Sequence, residues 1–206
     1  EDKKTLLGSL EFKPFYLKAD LDYEGVSTKE LFKKDSILID LIKSEIFHNE
    51  NLNVNINLNV KDIINFNELN NLLLKLGLVQ GDITLTNSKI MWKDDLEILM
   101  KDGVLSYDNN EIFLIGRIFV NANDINNFYK SFQVKKINRK PIKNIEFDFI
   151  YNFNQNKFQF DNILVNDKTN SDIDNYIDNY NLTGKIFSNK ITFKNFINNF
   201  FDIYSG

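Results

Sequence analysis

His48 is the only histidine in a chain of 206 residues that contains no cysteine. Nucleophilic catalysis would therefore have to pair a serine or threonine with His48 and an acid, and no Gly-x-Ser-x-Gly elbow is present to supply the serine. His48 stands at the end of an expected helix, where an imidazole meets the terminal carbonyls, and that is its plainer role. Carboxylates lie close in sequence at Asp94-Asp95 and at Asp172, Asp174 and Asp178. Such groups can act as acid and base on a glycoside or gather a divalent cation. Here they fall in turn-like or helix-edge positions without the glycine of a calcium loop, and they read as solvated charge. Asn181-Leu182-Thr183 has the form of a glycan acceptor, a triplet of little weight in so asparagine-rich a chain. The eight glycines compose neither a phosphate-cradling loop nor a dinucleotide fingerprint. No catalytic residue, metal or cofactor is expected, and the chain reads as a non-enzyme.

Charge points away from nucleic acid. The net charge is −4, from 29 acidic and 25 basic residues, and no basic stripe for phosphates runs along the chain. One local cluster, Lys135, Lys136, Arg139, Lys140 and Lys143, reads as a solvated connection, with anionic lipid headgroups as the functional alternative. Asparagine makes up about one residue in six or seven, a bias that an AT-rich genome produces without selection for recognition. Lack of cysteine removes disulfides and thiolate metal sites together. The chain opens Glu-Asp-Lys-Lys, and no run of about eighteen apolar residues could span a bilayer. The expectation is a single domain over 1–206, a fragment of a longer chain, with sub-units 1–49, 50–143 and 144–206. Any membrane anchor would lie outside it.

These side chains need elements to hold them, and the periodicity is that of strands. Asn51 to Val60 alternates without a break, placing Leu52, Val54, Ile56, Leu58 and Val60 on one side and five asparagines on the other. A helix would scatter those aliphatics around its circumference. Leu72, Leu74, Leu76 and Leu78 repeat the pattern, as do Ile83 and Leu85. Further strands are expected at Leu6–Phe12, Tyr16–Tyr23, Lys89–Trp92, Leu96–Met100, Val104–Tyr107, Glu111–Val120, Asn144–Tyr151 and Lys157–Val165. Turn chemistry at Asn87-Ser88, Asp94-Asp95, Lys101-Asp102-Gly103 and Asp108-Asn109-Asn110 separates several of them. The fold class is mainly β with a few short α-helices (α+β), an antiparallel, curved, groove-forming sheet.

Helical spacing appears at Ile37–Phe47, at Ile125, Phe128, Tyr129 and Phe132 behind a cap at Asn123 or Asp124, and from Phe193 to Tyr204. Gly116-Arg117-Ile118-Phe119 and Gly184-Lys185-Ile186-Phe187 match, and the offset holds through the helix after each, so a strand-then-short-helix unit recurs. Tyr16 to Phe32 is a candidate third copy. One apolar face per strand and one stripe per helix leave more hydrophobic positions than three short helices cover. A second sheet would hide them as a closed β-sandwich, an interaction or adhesion module without lipid. Alternatively an open groove would hold a hydrophobic ligand, each buried acyl methylene contributing about 0.8 kcal/mol.

Gly81 to Ile90, Leu96 to Met100, the strand ending Gly116-Arg117-Ile118-Phe119-Val120 and the helix Asp124 to Phe132 together resemble the C-terminal region of AsmA-like proteins of Gram-negative bacteria, across residues 50–165. The resemblance implies a bridge-type lipid-transfer groove, anchored in the inner membrane by a helix absent from this chain. It would project into the periplasm and carry phospholipid toward the outer membrane, in outer-membrane biogenesis alongside assembly partners there. It brings no catalytic residue and no cofactor. Matched to its groove by pattern, Leu52, Val54, Ile56, Leu58, Val60, Leu72, Leu74, Leu76, Leu78, Ile83 and Leu85 would line the lipid path.

Overall fold

The strands expected from period-two patterning assemble into one sheet of nine, in chain order from edge to edge. The computed structural model describes residues 4–12, 15–27, 51–64, 66–79, 82–109, 111–155, 157–183 and 190–204. The strands are β1 (Lys4–Phe12), β2 (Phe15–Ser27), β3 (Leu52–Ile64), β4 (Leu69–Val79), β5 (Asp82–Trp92), β6 (Leu96–Asp108), β7 (Glu111–Ala122), β8 (Asn144–Asn152) and β9 (Lys157–Val165). Three helices are described: α1 (Ile125–Phe132), α2 (Ser171–Thr183) and α3 (Lys190–Ile203). The mainly β, open-sheet class holds. The expected helix Ile37–Phe47, His48 and the strand Gly184–Phe187 of the second repeat copy lie outside the described residues.

Neighbouring strands are antiparallel except β2 and β3, which run parallel from Phe15 opposite Leu52 to Ser27 opposite Ile64. The asparagine face of β3 acquires a role in that parallel pair. Asn57 donates to Asp20 at 2.7 Å, Asn59 to Asp22 at 2.8 Å, and Lys61 reaches Glu24 at 3.3 Å. Cross-strand polar pairs of this kind tie register on the face away from the core. Asparagine, a poor strand former by propensity, is retained here because its amide meets a carboxylate on the next strand.

Two of the expected turns are instead interruptions inside longer strands. Residues 82–92 form one strand and residues 96–108 another. The register of β5 against β4 slips by one residue around Asn87, whose φ of 52° is left-handed. Asn71 in β4 and Asn162 in β9 do the same, at φ 49° and 50°, beside further slips. Bulge and turn demand the same residue, one that tolerates the left-handed region, so turn chemistry alone does not separate them. Ser88 repairs the ladder after the Asn87 bulge: its hydroxyl accepts from the Lys75 amide at 2.9 Å. In β6 the slip between Met100 and Gly103 faces Gly116, where an added Cβ would stand 2.8 Å from the Asp102 carbonyl. Glycine is required there for the two backbones to approach. Asp94-Asp95, by contrast, is a true hairpin turn.

The register places one apolar row from every strand on the same face. Leu17, Val54, Leu78, Ile83, Leu105 and Leu114 stand opposite one another from β2 through to β7. All three helices pack on the β6–β9 part of that face. Ile125, Tyr129, Phe132, Ile173, Ile177, Phe200, Phe201 and Tyr204 join Leu96, Ile163 and Val165 in one buried core. The two helices aligned by the sequence repeat, α1 and α3, meet there: Phe201 packs edge-on to Tyr129 at 4.9 Å, and Phe193 to Phe132 at 5.5 Å.

Candidate functional site

Among the described residues none of the polar candidates forms a chemical centre. Asp95 serves as the clamp for α1: its carbonyl accepts from the Asn123 amide at 2.7 Å and its carboxylate from Asn127 at 3.1 Å. Asp124 then caps the helix, accepting from the Asn126 amide at 2.9 Å. Asp172 and Asp174 occupy the first turn of α2, where negative charge suits the helix dipole. Asn170 caps that helix, its Oδ1 accepting from the amides of Asp172 and Ile173. Among the described residues no group of three or more His, Cys, Asp or Glu could hold a metal ion. Asn181 is committed to structure, its amide bonded to both the N–H and the C=O of Phe160 at 3.0 and 2.7 Å. It closes the outer edge of β9 as a strand partner would. Trp92 packs edge-on to Phe128 and tilted against Phe132 at the helical core, not on a surface platform.

Two charged features have clear structural duties. Arg117 holds Asp148 bidentately, at 2.6 and 2.9 Å, and Glu146 at 3.0 Å across β7 and β8. With Asn162 donating as well, the Asp148 carboxyl lies below its usual range, chiefly through the Arg117 hydrogen bonds. The basic cluster forms the connection from α1 to β8, with a single 3₁₀ turn at Lys136–Asn138. Lys135 pairs with Asp202 at 3.1 Å, and the Arg139 Nε donates to the Val134 carbonyl at 3.0 Å.

What remains is the apolar face over β2–β5. The eleven residues expected to line a groove do share it, and all but Leu85 gather in two clusters apart from the helical core. One holds Val54, Leu78 and Ile83 with Leu52, Ile56 and Leu76; the other holds Leu58 and Val60 with Leu72 and Leu74. Their exposure divides them. Val54, Leu58, Val60, Leu78, Ile83 and Leu85 are buried, whereas Leu52, Ile56, Leu72, Leu74 and Leu76 are half-buried. The face is thus no open trough along its whole length; its wet part is a narrower set of aliphatics. Among the described residues both clusters are built from strands and the Phe153 turn, without a helix residue. A depression of about 450 Å3 lies around the same strands, but Asp22, Glu24, Asn59, Lys61 and Lys89 among its lining make it too polar for an acyl chain.

The alternation itself discloses this aliphatic character, since from Leu52 to Val60 and from Leu72 to Leu78 the shared face carries only leucine, isoleucine and valine. Which positions stay wet is set by pairing across β2–β7, a non-local property that no single strand carries. Among the described residues no helix is long and apolar enough to cross a membrane. No protein-family model, curated protein or solved structure matches the chain.

Proposed function

We propose that the β2–β5 half of the apolar face binds acyl chains, making this chain a non-enzymatic segment of a lipid-transfer groove. The observation carrying this reading is the aliphatic surface of β3 and β4, which among the described residues carries no helix and is continuous in register with the covered core yet half-wet at Leu52, Ile56, Leu72, Leu74 and Leu76. A hydrocarbon chain gains about 0.8 kcal/mol per methylene removed from water and needs no directional partner. Rows of branched and unbranched aliphatics provide that solvent, while the headgroup stays at the wet margin. On the resemblance to AsmA-like proteins, the ligand is phospholipid. On the same resemblance the setting is the periplasm, with lipid moving from the inner toward the outer membrane.

Burial of Val54, Leu58, Val60, Leu78, Ile83 and Leu85 favours a second reading, in which this face is ordinary core and the chain a lipid-free interaction module. Native mass spectrometry of protein purified from bacterial membrane-containing lysate separates the two. The lipid reading expects co-purified phospholipid that is lost in Ile56→Asp, with the fold retained by circular dichroism, since Ile56 is only half-buried. Lipid-free wild-type protein, also unable to take a fluorescent-acyl phospholipid from vesicles, would sink it.

A further inference from the structure

Ile137 is 83% exposed, the most exposed large apolar side chain among the described residues. It sits at the centre of the 3₁₀ turn Lys136–Asn138, inside the basic run Lys135, Lys136, Arg139, Lys140 and Lys143. An isolated exposed isoleucine on a floppy loop would mean little. This loop is braced at every step. Val134 and Ile142, 1% and 5% exposed, anchor its two ends in the helical core. Tyr129 donates its hydroxyl to the Lys140 carbonyl at 2.7 Å, and Arg139 ties back to Val134. Asp202 of α3 takes both Lys135 and the Asn138 amide. The fold therefore holds one aliphatic side chain rigidly outward, on a turn ringed by cations, in a protein whose net charge is −4.

We infer that this loop is a docking tip for an anionic lipid bilayer, with Ile137 entering the acyl boundary while Lys136, Lys140 and Lys143 meet headgroup phosphates. Charge complementarity chooses the partner: each cation near a negatively charged membrane surface is attracted to it, and one aliphatic side chain entering the acyl boundary adds a hydrophobic component that a soluble polyanion cannot supply. Asp202, the acid facing this loop from α3, is already engaged by Lys135 and Asn138 and leaves Lys136 and Lys143 exposed. Tip docking differs from acyl-chain binding on the sheet face. It holds even if that face carries no lipid, because it uses a different surface.

Co-sedimentation of the full chain with vesicles tests it. Binding is expected to vesicles of phosphatidylglycerol and phosphatidylcholine, to weaken as salt is raised, and to be absent with phosphatidylcholine alone. Ile137→Asp and Lys136→Glu, both at exposed positions where the fold has no stake, should each weaken binding by roughly tenfold. Ile137→Trp should retain binding and shift its emission to the blue on the anionic vesicles. The inference is overturned by no binding to anionic vesicles at low salt, by equal binding of wild type and Ile137→Asp, or by equally tight capture of single-stranded DNA. Displacement by millimolar inorganic phosphate at constant ionic strength would also overturn it, placing the site on free phosphate.

Discussion

The two halves of the sheet present the same face in the same register, yet they are finished in different chemistry. Over β6–β9 the core is rich in aromatics: Tyr129, Phe132, Phe200, Phe201 and Tyr204 interlock with Trp92, Phe128, Phe160 and Phe196 among aliphatics such as Leu96, Ile125 and Ile173. Over β2–β5 it is almost wholly aliphatic, with Tyr23 and Phe153 the only aromatic members of its two clusters among the described residues. Aromatic rings pack in preferred edge and offset geometries, so the helical half is a specific jigsaw. Leucine and valine rows impose no such geometry. They form a surface that accepts another hydrocarbon, protein or lipid, at similar cost, and this difference is what makes the aliphatic half the candidate for binding.

The largest expected effect probes that contrast directly. Phe201 is 1% exposed and touches Phe128, Tyr129 and Phe200. Phe201→Ala should cost about 3–5 kcal/mol in chemical denaturation. Leu74→Ala, on the half-buried β4 row, removes side-chain area that is already partly wet and should cost only about 1 kcal/mol. Equal losses would show that the aliphatic half is as tightly built as the aromatic one, and the distinction between them would fall.

Much of this contrast is legible in the sequence, for reasons particular elements make plain. Alternation in β3 reports one apolar face because the strand period is two and the run is unbroken from Leu52 to Val60. Helix α1 is legible from Ile125, Phe128, Tyr129 and Phe132 behind the Asp124 cap. Helix α2 escapes notice although Ile173, Tyr176, Ile177 and Tyr180 carry the same spacing, because asparagines and aspartates between them read as turn residues. The bulges at Asn87 and in residues 101–103 hide among turns because both use left-handed or glycine backbone. The parallel β2–β3 pair is invisible locally: nothing in either strand states its direction relative to the other. Burial of the six aliphatics likewise depends on neighbours brought together by the whole sheet.

A second, intermediate effect sharpens the comparison through pH. Burial in the aromatic half pushes the Tyr180 phenol from 10.0 up to about 12, and raises Tyr129 as well. A proton held more tightly in the folded state stabilises the fold in full below the ordinary phenol value, and that contribution is lost as pH rises through the raised one. Thermal unfolding should therefore show a falling midpoint between about pH 10 and pH 12, and Tyr180→Phe should flatten the fall. Absence of any alkaline decline would mean that these rings are wetter than their packing indicates.

The smallest expected effect belongs to the polar face, which the two halves share. Arg117 and Asp148 are well aligned but largely solvated, so water and salt screen most of their attraction. Because Asp148 is held ionised below its usual value of 3.8, its contribution is complete above that pH and disappears as pH falls through the lowered value. Asp148→Asn should consequently make the acid limb of a stability profile slightly shallower and leave the neutral midpoint nearly unchanged. Raising the salt should erase even that difference. If Asp148→Asn instead destabilised the neutral protein as much as Leu74→Ala, the outer face would be contributing to the fold on a par with the aliphatic rows. The assignment of stability to the covered face alone would then have to be abandoned.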